Sequence, residues 1–539
     1  MSDGIDVGAP EHRARFDILV THARVVDGMG SPWYRASVGI RGGYIAAIGE
    51  IEAAEATTVL DAEDRWLAPG FIDAHVHTDL ALLADPTIEP AIRQGVTSHV
   101  IGQDGISYAP AGAATAEIMH RYFAGVNGEL PSARRPMSVA GFLDMFDEKV
   151  AGNVAYLVPH GCVRLEAMGP DDRRPTDEEL AAMQQMVTQG IREGAVGVST
   201  GLDYLPCRYA KTDELVALAR AAASLGGVFV AHMRGYGPNV EMGMDEMCRI
   251  ARESGAAAHV SHYNVPAELG LALIDDARSS GLDFTYDLYP YLAGSTTLML
   301  WLPDDLHVGT VPDILRRLAS DDGRGRVIGW FSGGAGHPLY PLSKVRFSHL
   351  VAPAHQEFLG LTPVDAARRA DKPIGEFMYE LLVAEELRAG VVAFDDDWRT
   401  EEELERLMTH PAHMAGSDGI YVGERPHPRG WGTFARYLAR YVRDRGVLTL
   451  EDAVRRMTSF PARRFGMRDR GAIVPGMAAD LVLFDLDRIS DTSTYEHGRS
   501  LAKGVSHVLV NGIPVLWDGS LTGETPGRTV GRGGGRSVD

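Results

Sequence analysis

The chain has 539 residues, 45% of them hydrophobic and 23% charged, which is the composition of a soluble globular protein. Its 52 basic and 73 acidic side chains leave a formal net charge of −21, and such a surface repels phosphate backbones and anionic lipid head groups. We therefore expect neither nucleic acid nor membrane as a partner. The N-terminal segment has no basic region followed by an apolar stretch, and no window of about 20 apolar residues occurs, so we expect a cytoplasmic protein without signal peptide or membrane span.

Both ends of the chain are predicted to be rich in β-strands. Residues 16–60 alternate apolar and polar side chains between Gly-containing turns, as in FDILVTHARVVDG and ASVGIRGGYIAAIGE. The same texture returns in ADLVLFDLD and HVLVNGIPVLWDG. We predict that residues 1–65 and 471–522 form one small β-sandwich beside a central domain, and that the tail 523–539 is disordered.

The centre of the chain alternates apolar strands with amphipathic helices. Examples are the strand AVGVST, the helix TDELVALARAAASLG and the strand GVFVAHM, which follow one another directly. A hydrophobic period that switches repeatedly between 2 and 3.6 is typical of consecutive βαβ units with a parallel sheet. We predict an α/β fold, a (β/α)8 TIM-like barrel over residues 66–470, with an open parallel sheet as the alternative. Residues 300–405 break the rhythm and are interpreted as an insertion over the barrel mouth.

Histidines and aspartates follow the predicted barrel strands at their carboxyl ends, where the chemistry of an α/β barrel gathers. His75 and His77 come first, and because residues i and i+2 of a strand project from one face, their imidazoles can converge on a metal ion. The strand-end set comprises His75, His77, Asp104, His160, His232, His262 and Asp418. Taken together, these side chains predict a metal site on one rim of the barrel.

Three histidines are interpreted otherwise. His160 has no obvious place among the ligands, and we expect it to be a hydrogen-bonding group behind them. His99 and His259 lie inside their strands, away from the rim, and are expected to be structural.

The chain resembles the amidohydrolase superfamily, and within it the N-acyl-D-amino-acid deacylase (D-aminoacylase) branch. The similarity covers nearly the whole chain, through LAPGFIDAHVHTDL, GAVGVSTGLDYLP, FVAHMRGYG, GSDG and MTSFPARRFGMRDRGAIVPGMAADLVLFD. YPYLAGSTTL and HPRGWGTF are the motifs most specific to the branch. The resemblance implies zinc as cofactor, with Asp418 as the acid–base group and four metal ligands at His75, His77, His232 and His262.

Asp104 departs from the pattern of the branch. Its members carry NCG, with a metal-binding cysteine, where this chain has Gln103-Asp104-Gly105. Zinc accepts carboxylate as well as thiolate, and two carboxylate oxygens can bridge two ions. None of the five lysines stands where other superfamily members carry a bridging carboxylated lysine, so Asp104 is the candidate bridge. We predict one tightly bound zinc on Asp104, His232 and His262, and a second, weaker position on His75 and His77.

The substrate-binding residues implied by the resemblance are only partly retained. Arg429 in HPRGW matches a group that binds the substrate carboxylate, and Tyr289 or Tyr291 matches a hydroxyl donor. Asn264 stands where the family has a lysine, and a neutral amide can hydrogen-bond to a carboxylate but cannot neutralise it.

The predicted function is a metal-dependent amidohydrolase that hydrolyses N-acyl-amino acids, and N-acyl-D-amino acids in particular. Its partner is then a small-molecule amide, while the oligomeric state stays open. The alternatives are a dipeptidase or a cyclic-amide hydrolase of the same superfamily, and a non-catalytic barrel that serves as a scaffold. Of these, the scaffold predicts scattered loss of metal ligands, whereas all four histidines and Asp418 are present.

Overall fold

A computed structural model of the chain describes residues 15–531. Within that range the strands are β1 (Phe16–Val25), β2 (Tyr34–Arg41), β3 (Tyr44–Gly49), β4 (Ala56–Asp61), β5 (Trp66–Pro69), β6 (Phe71–Asp73), β7 (Val76–His77), β8 (Val96–Ile101), β9 (Asn153–Pro159), β10 (Gly197–Gly201), β11 (Val228–His232), β12 (Ala258–Val260), β13 (Phe284–Leu288), β14 (Ala293–Thr297), β15 (Val345–His349), β16 (Gly390–Phe394), β17 (His413–Ala415), β18 (Gly419–Ile420), β19 (Leu481–Phe484), β20 (Val505–Val510), β21 (Ile513–Trp517) and β22 (Ser520–Leu521).

The α-helices of the same range are α1 (Ala81–Ala84), α2 (Glu89–Ile92), α3 (Ala113–Tyr122), α4 (Ala124–Asn127), α5 (Val139–Leu143), α6 (His160–Met168), α7 (Asp177–Arg192), α8 (Thr212–Ala223), α9 (Val240–Ser254), α10 (Ala267–Ser279), α11 (Val311–Leu318), α12 (Asp321–Ser332), α13 (Pro363–Arg369), α14 (Ile374–Ala384), α15 (Glu401–Thr409), α16 (Arg429–Arg436), α17 (Leu450–Met457) and α18 (Ser459–Arg464). Within residues 15–531, no helix combines the length and the apolarity that crossing a bilayer requires.

Strands from both chain ends form one sheet of nine strands. Its order is β22-β21-β20-β19-β5-β1-β2-β3, and β4 pairs with β1. The two ends meet where β5 runs antiparallel to β19, with Leu67 opposite Leu483. The sheet folds over its own hydrophobic core, which includes Val20, Val38 and Leu481. The alternation read from the sequence therefore builds a separate β-rich unit, as predicted.

Eight parallel strands form the barrel, in the order β17-β13-β12-β11-β10-β9-β8-β6. The gap between the first and last strand is narrow, because Ala74 donates its N–H to the carbonyl oxygen of Ala415 at 3.4 Å and β7 pairs in parallel with β18. Strands such as β8 and β9 are buried along their whole length, as expected for a parallel sheet covered by helices. The prediction of an α/β barrel is confirmed, and the open sheet is excluded.

A long excursion separates β13 from β17. It contains the antiparallel sheet β14-β16-β15 and the helices α11 to α14, and α15 leads the chain back to the barrel. The excursion starts with β14 at Ala293, a few residues before the predicted start of the insertion. Its residues contribute one side of the cavity above the barrel, which is described below.

The tail differs in part from the prediction of disorder over 523–539. Residues 523–531 lie against the barrel. The N–H of Gly527 donates to the carbonyl oxygen of Val150, and the N–H of Val530 donates to the carbonyl oxygen of Val154, each at 2.8 Å. A Cβ at Gly527 would come within 2.1 Å of the carbonyl oxygen of Gly152, so glycine is required here for close packing. The remaining residues 532–539 lie outside the described range.

Candidate metal centre

Six side chains from the strand ends meet at one rim of the barrel. His75 and His77 come from β6–β7, His232 ends β11, and His262 follows β12. Asp104 lies in a short 3₁₀ turn after β8, and Asp418 directly precedes β18. All six are buried, with at most 8% of their surface exposed. The structure thus brings the strand-end residues together, as a parallel barrel requires.

Asp104 stands at the centre of the four imidazoles. Its Oδ2 atom is 3.6 Å from His75 Nε2, 3.5 Å from His77 Nε2, 3.9 Å from His232 Nδ1 and 3.7 Å from His262 Nε2. Its Oδ1 atom is buried without a hydrogen-bond partner. Burial alone raises the pKa of this carboxyl, but the neighbouring imidazoles outweigh burial and hold the pKa well below its usual range. Asp104 is therefore a carboxylate.

The ligand atoms form two groups that share Asp104. One group combines it with His75, His77 and Asp418, and the other combines it with His232 and His262, with ligand atoms within 4.8 Å of one another in each group. His75 Nε2 is also buried without a hydrogen-bond partner. Orphaned buried atoms of this kind call for an unseen partner, and a nitrogen–oxygen set at this separation suits a divalent ion such as zinc.

Asp287 orients the ligands from behind and was not identified from the sequence. Its Oδ2 accepts hydrogen bonds from His75 Nδ1 at 3.3 Å and His259 Nε2 at 2.9 Å, and its Oδ1 accepts one from the backbone N–H of His262 at 2.9 Å. With its Nδ1 engaged by Asp287, the His75 ring is oriented so that Nε2 points toward Asp104 and the shared ligand position. The signal that could have revealed Asp287 is its place at the end of β13, in YDLYP. His259 is part of this support and not of the ligand set.

His232 has a carboxylate partner as well. Its Nε2 hydrogen-bonds to Asp203 Oδ2 at 3.0 Å, which leaves Nδ1 facing His262 Nε2 at 3.0 Å. Two lone pairs this close repel each other unless a proton or a metal ion lies between them. Asp203, in GLDYLP, was also not identified as a site residue from the sequence.

Asp418 lies beside both a candidate metal ligand, His77, and a cation, Arg429. Its Oδ1 lies 3.3 Å from His77 Nε2, and its Oδ2 lies 2.8 Å from Arg429 Nη1. Burial raises the pKa of the Asp418 carboxyl, but Arg429 and His262 outweigh burial and lower it to about 2. Arg429 also donates to the carbonyl oxygen of Ser295 at 3.2 Å and lies 4.6 Å above the ring of Tyr289.

Asn264 belongs to a hydrogen-bonded chain that reaches Tyr289. Its Nδ2 donates to the Tyr289 hydroxyl at 2.6 Å, and its Oδ1 accepts from the buried guanidinium of Arg399. Arg399 pairs with Asp395 at 2.8 Å and comes from the end of the insertion. A cation therefore lies directly behind the neutral amide at position 264. Nothing local in the sequence indicates this contact, because 135 residues separate its two partners.

Tyr291 does not line the cavity, which the prediction that it binds substrate requires. Its ring packs under the Arg436 guanidinium at 4.8 Å and meets His427 edge-on at 5.3 Å, while Tyr289 lines the cavity. The two tyrosines would share a face only in a continuous strand. β13 ends at Leu288, and the chain turns before β14 begins.

His160 hydrogen-bonds away from the ligand set. Its Nδ1 meets Thr200 Oγ1 and its Nε2 meets Glu214 Oε1, each at 2.9 Å. Glu214 also accepts a hydrogen bond from Arg164, so His160 belongs to a buried network with these two residues. Among the described residues, His160 makes no hydrogen bond to the four other strand-end imidazoles. His99 is buried inside β8, and burial lowers its pKa to about 4.

A cavity of about 750 Å³ opens above the cluster. Its floor includes His77, Asp104 and Asp418, and its sides come from the loops after β10 and β11 and from the insertion. The volume lies within the roughly 300–1,000 Å³ typical of small-molecule sites. The ligand set is therefore accessible to a small substrate.

Known proteins are similar to this chain in both sequence and fold. The sequence model of the amidohydrolase family matches residues 58–287 and 344–516. An N-acyl-D-glutamate deacylase of Alcaligenes xylosoxydans xylosoxydans is 38% identical over 523 residues, 93% of this chain and 94% of that protein. The structure of N-acyl-D-glutamate deacylase from Bordetella bronchiseptica, complexed with zinc and a phosphonate mimic of the tetrahedral intermediate, has a TM-score of 0.81 and 34% identity, covering 96% of this chain and 99% of that one.

A structure of D-aminoacylase, described with a binuclear metal centre, has a TM-score of 0.79 and 34% identity, covering 96% of this chain and all of that one (100%). These matches extend over nearly the full length of both partners, so they relate the whole fold and not one motif. The chain belongs to the amidohydrolase family and, within it, to the N-acyl-D-amino-acid deacylases.

Proposed function

We propose that the protein is a zinc-dependent hydrolase that cleaves the amide bond of N-acyl-D-amino acids and releases a carboxylate and a free amino acid. The observation that carries the proposal is the buried Asp104 carboxylate, which belongs to two ligand groups at the floor of a cavity. The relatives support it, since they are deacylases of N-acyl-D-amino acids, one solved with zinc and one described with a binuclear centre.

We assign Asp104, His232 and His262 to the tighter zinc, and His75 and His77 to a weaker position that shares Asp104. The orphaned Oδ1 of Asp104 and Nε2 of His75 fit this assignment, because each needs a partner that the protein does not provide. When bound, zinc supplies Lewis-acid activation of water and of the amide carbonyl.

Asp418 is the acid–base group of the proposal. Arg429 keeps its carboxyl ionised at neutral pH, so Asp418 is ready to accept a proton from the attacking water. Its Oδ1 faces the ligand set at His77, whereas its Oδ2 is held by Arg429. The oxygen that faces the ligands then returns the proton to the nitrogen of the leaving amine.

Arg429 and Tyr289 are assigned to the α-carboxylate of the substrate. The guanidinium and the phenol ring are stacked at the wall of the cavity, beside Asp418. Because the Tyr289 hydroxyl accepts a hydrogen bond from Asn264, its own proton is available for the substrate. A charge-assisted bond to Arg429 then places the amide over the ligand set.

The first test is Asp418→Asn in zinc-loaded protein, assayed with N-acetyl-D-methionine and N-acetyl-D-glutamate beside metal analysis. We expect zinc content close to wild type and a kcat lower by about 10²- to 10⁴-fold, the range for loss of general acid–base catalysis. Asp365→Asn, on the exposed end of α13, is the control and should leave both values unchanged. A substituted protein that binds zinc and hydrolyses as fast as wild type contradicts the role of Asp418.

A further inference from the structure

One wall of the cavity comes from the insertion and presents apolar surface. Trp301 donates its indole N–H to the carbonyl oxygen of Tyr340 at 2.8 Å, and Trp330 donates its own to the carbonyl oxygen of Trp301 at 2.9 Å. Both indole donors are thus used inside the wall, and the rings turn apolar surface to the cavity. Leu302 and Leu339 line the same wall.

Among residues 15–531, three guanidinium groups line the cavity, and two of them pair with carboxylates of the protein: Arg208 with Asp304 at 2.9 Å and Arg234 with Glu246 at 2.9 Å. The third, Arg429, lies beside Asp418 and is the group assigned to the α-carboxylate. Arg234 also donates to the carbonyl oxygens of Arg208 and Ala210, which uses its remaining nitrogens. Among residues 15–531, the cavity therefore offers no unpaired arginine or lysine to a second carboxylate of the substrate.

The remaining titratable groups of the cavity do not favour an anion. Asp203 and Asp305 also line it, and each of these carboxylates has a partner of its own. His337 stands beside the Trp301 ring, and burial lowers its pKa to about 4, so it is neutral near pH 7. A carboxylate that leaves water for such surroundings loses its hydration without gaining a cation.

Resting on the proposed function, we propose that this enzyme is selective for N-acyl-D-amino acids whose side chain is neutral and apolar, and that it discriminates against the N-acyl derivatives of D-glutamate and D-aspartate. The α-carboxylate remains the single negative group that the site accepts, at Arg429. The proposed substrates differ from the substrate in the name of the 38% identical relative, an N-acyl-D-glutamate deacylase. The selectivity follows from the wall of the cavity and from the pairing of its cations, not from overall identity.

The test compares kcat/KM of the zinc-loaded protein for N-acetyl derivatives of D-leucine, D-methionine, D-phenylalanine, D-glutamate and D-aspartate. We expect the three apolar substrates to exceed the two acidic ones by at least about tenfold, the discrimination that a hydrophobic pocket commonly achieves. Equal or higher values for either acidic substrate overturn this inference and leave the proposed function intact. Hydrolysis of none of the five overturns the proposed function, and this inference with it.

A pair of variants tests the physical cause. Asp304→Asn removes the partner of Arg208 and should raise the kcat/KM for N-acetyl-D-glutamate relative to N-acetyl-D-leucine by about tenfold, the effect of one charge-assisted hydrogen bond. Asp397→Asn removes an acid of the insertion that pairs with Lys344, outside the cavity, and should leave the ratio at its wild-type value. If Asp304→Asn and Asp397→Asn have the same ratio of kcat/KM for N-acetyl-D-glutamate to kcat/KM for N-acetyl-D-leucine, the selectivity does not depend on cation pairing.

Discussion

Three of the site residues adopt a left-handed backbone conformation. The φ angles are 56° at Asp104, 33° at His262 and 48° at Asp418. Such angles cost free energy in residues other than glycine and persist where surrounding contacts impose them. Here the N–H of Asp418 bonds to the carbonyl oxygen of His75 at 2.7 Å, and that of His262 bonds to Asp287. The backbone is held in place so that the side chains face one another.

Asp104 is the residue on which both metal positions depend. We expect Asp104→Ala to weaken zinc binding by more than about tenfold, since loss of even an outer hydrogen-bond partner of a ligand costs 10- to 100-fold. Asp104→Cys should keep the zinc on His232 and His262, because thiolate is a good zinc ligand. Metal titration followed by elemental analysis measures both. Full zinc affinity in Asp104→Ala contradicts the assignment.

The two tyrosines of YPY provide a matched pair for the substrate site. Tyr289→Phe removes the hydroxyl that receives the Asn264 hydrogen bond at the cavity wall, and we expect KM to rise by about tenfold with a smaller change in kcat. Tyr291→Phe removes a hydroxyl that does not line the cavity and should leave both parameters unchanged. The reverse result, with only Tyr291→Phe raising KM, would show that the substrate lies elsewhere.

At the scale of elements, the insertion is tied to the barrel through the site. Arg399 follows β16, Asn264 follows β12, and their hydrogen bond joins the two behind Tyr289. The insertion also supplies the apolar wall with Trp301 and Trp330. It thus contributes both the support of a substrate-binding hydroxyl and the surface that meets the substrate. We expect differences in substrate selectivity between relatives to arise largely here, because the floor is made by the barrel alone.

The C-terminal segment 523–531 is the second element that completes the barrel. Its backbone exchanges hydrogen bonds with residues 148–154, and Val530 is buried among core residues that include Ile72 and Val100. We expect deletion of 523–539 to lower Tm by at least about 2 °C, from the loss of several hydrogen bonds and of buried apolar surface. Deletion of 532–539 alone leaves these contacts intact and serves as the control. Calorimetry that finds equal Tm values for both truncations contradicts a stabilising role.

At the scale of the whole molecule, the metal centre lies at the rim of the barrel, and the hydrophobic core holds the fold. The main core spans the barrel and the insertion and reaches the ligand rings through Tyr204 and Tyr236, but it is built from side chains that pack against one another. Chelation should therefore abolish hydrolysis while the far-ultraviolet circular dichroism stays native. Zinc restored at about a hundredfold excess over its Kd should stabilise the protein by about 2.7 kcal/mol and bring activity back. Unfolding on chelation, or activity that survives it, would contradict this division.

Much of this architecture could be predicted from the sequence, because it depends on local periodicity. The switch between periods of 2 and 3.6 predicts βαβ units, and parallel strands in a barrel place their carboxyl ends on one rim. That rule is sufficient to bring His75, His232 and Asp418 together from positions far apart in the chain. The carboxylates that support the metal ligands were not predicted from the sequence. Asp203 and Asp287 act through imidazoles that only the folded chain places beside them.

Residue types and their order along the chain determined by themselves the consecutive βαβ units and the histidines and aspartates at the strand ends, because both follow from periodicity. Closure of the sheet into a barrel was decided by the tertiary structure, where β7 pairs with β18. Only the tertiary structure decided that Tyr289 and not Tyr291 lines the cavity, since that depends on where the chain turns after β13. It also decided that Arg399 stands behind Asn264 and that the cavity cations Arg208 and Arg234 are already paired. Such contacts join segments that are distant in the chain, and no local pattern of residues encodes them.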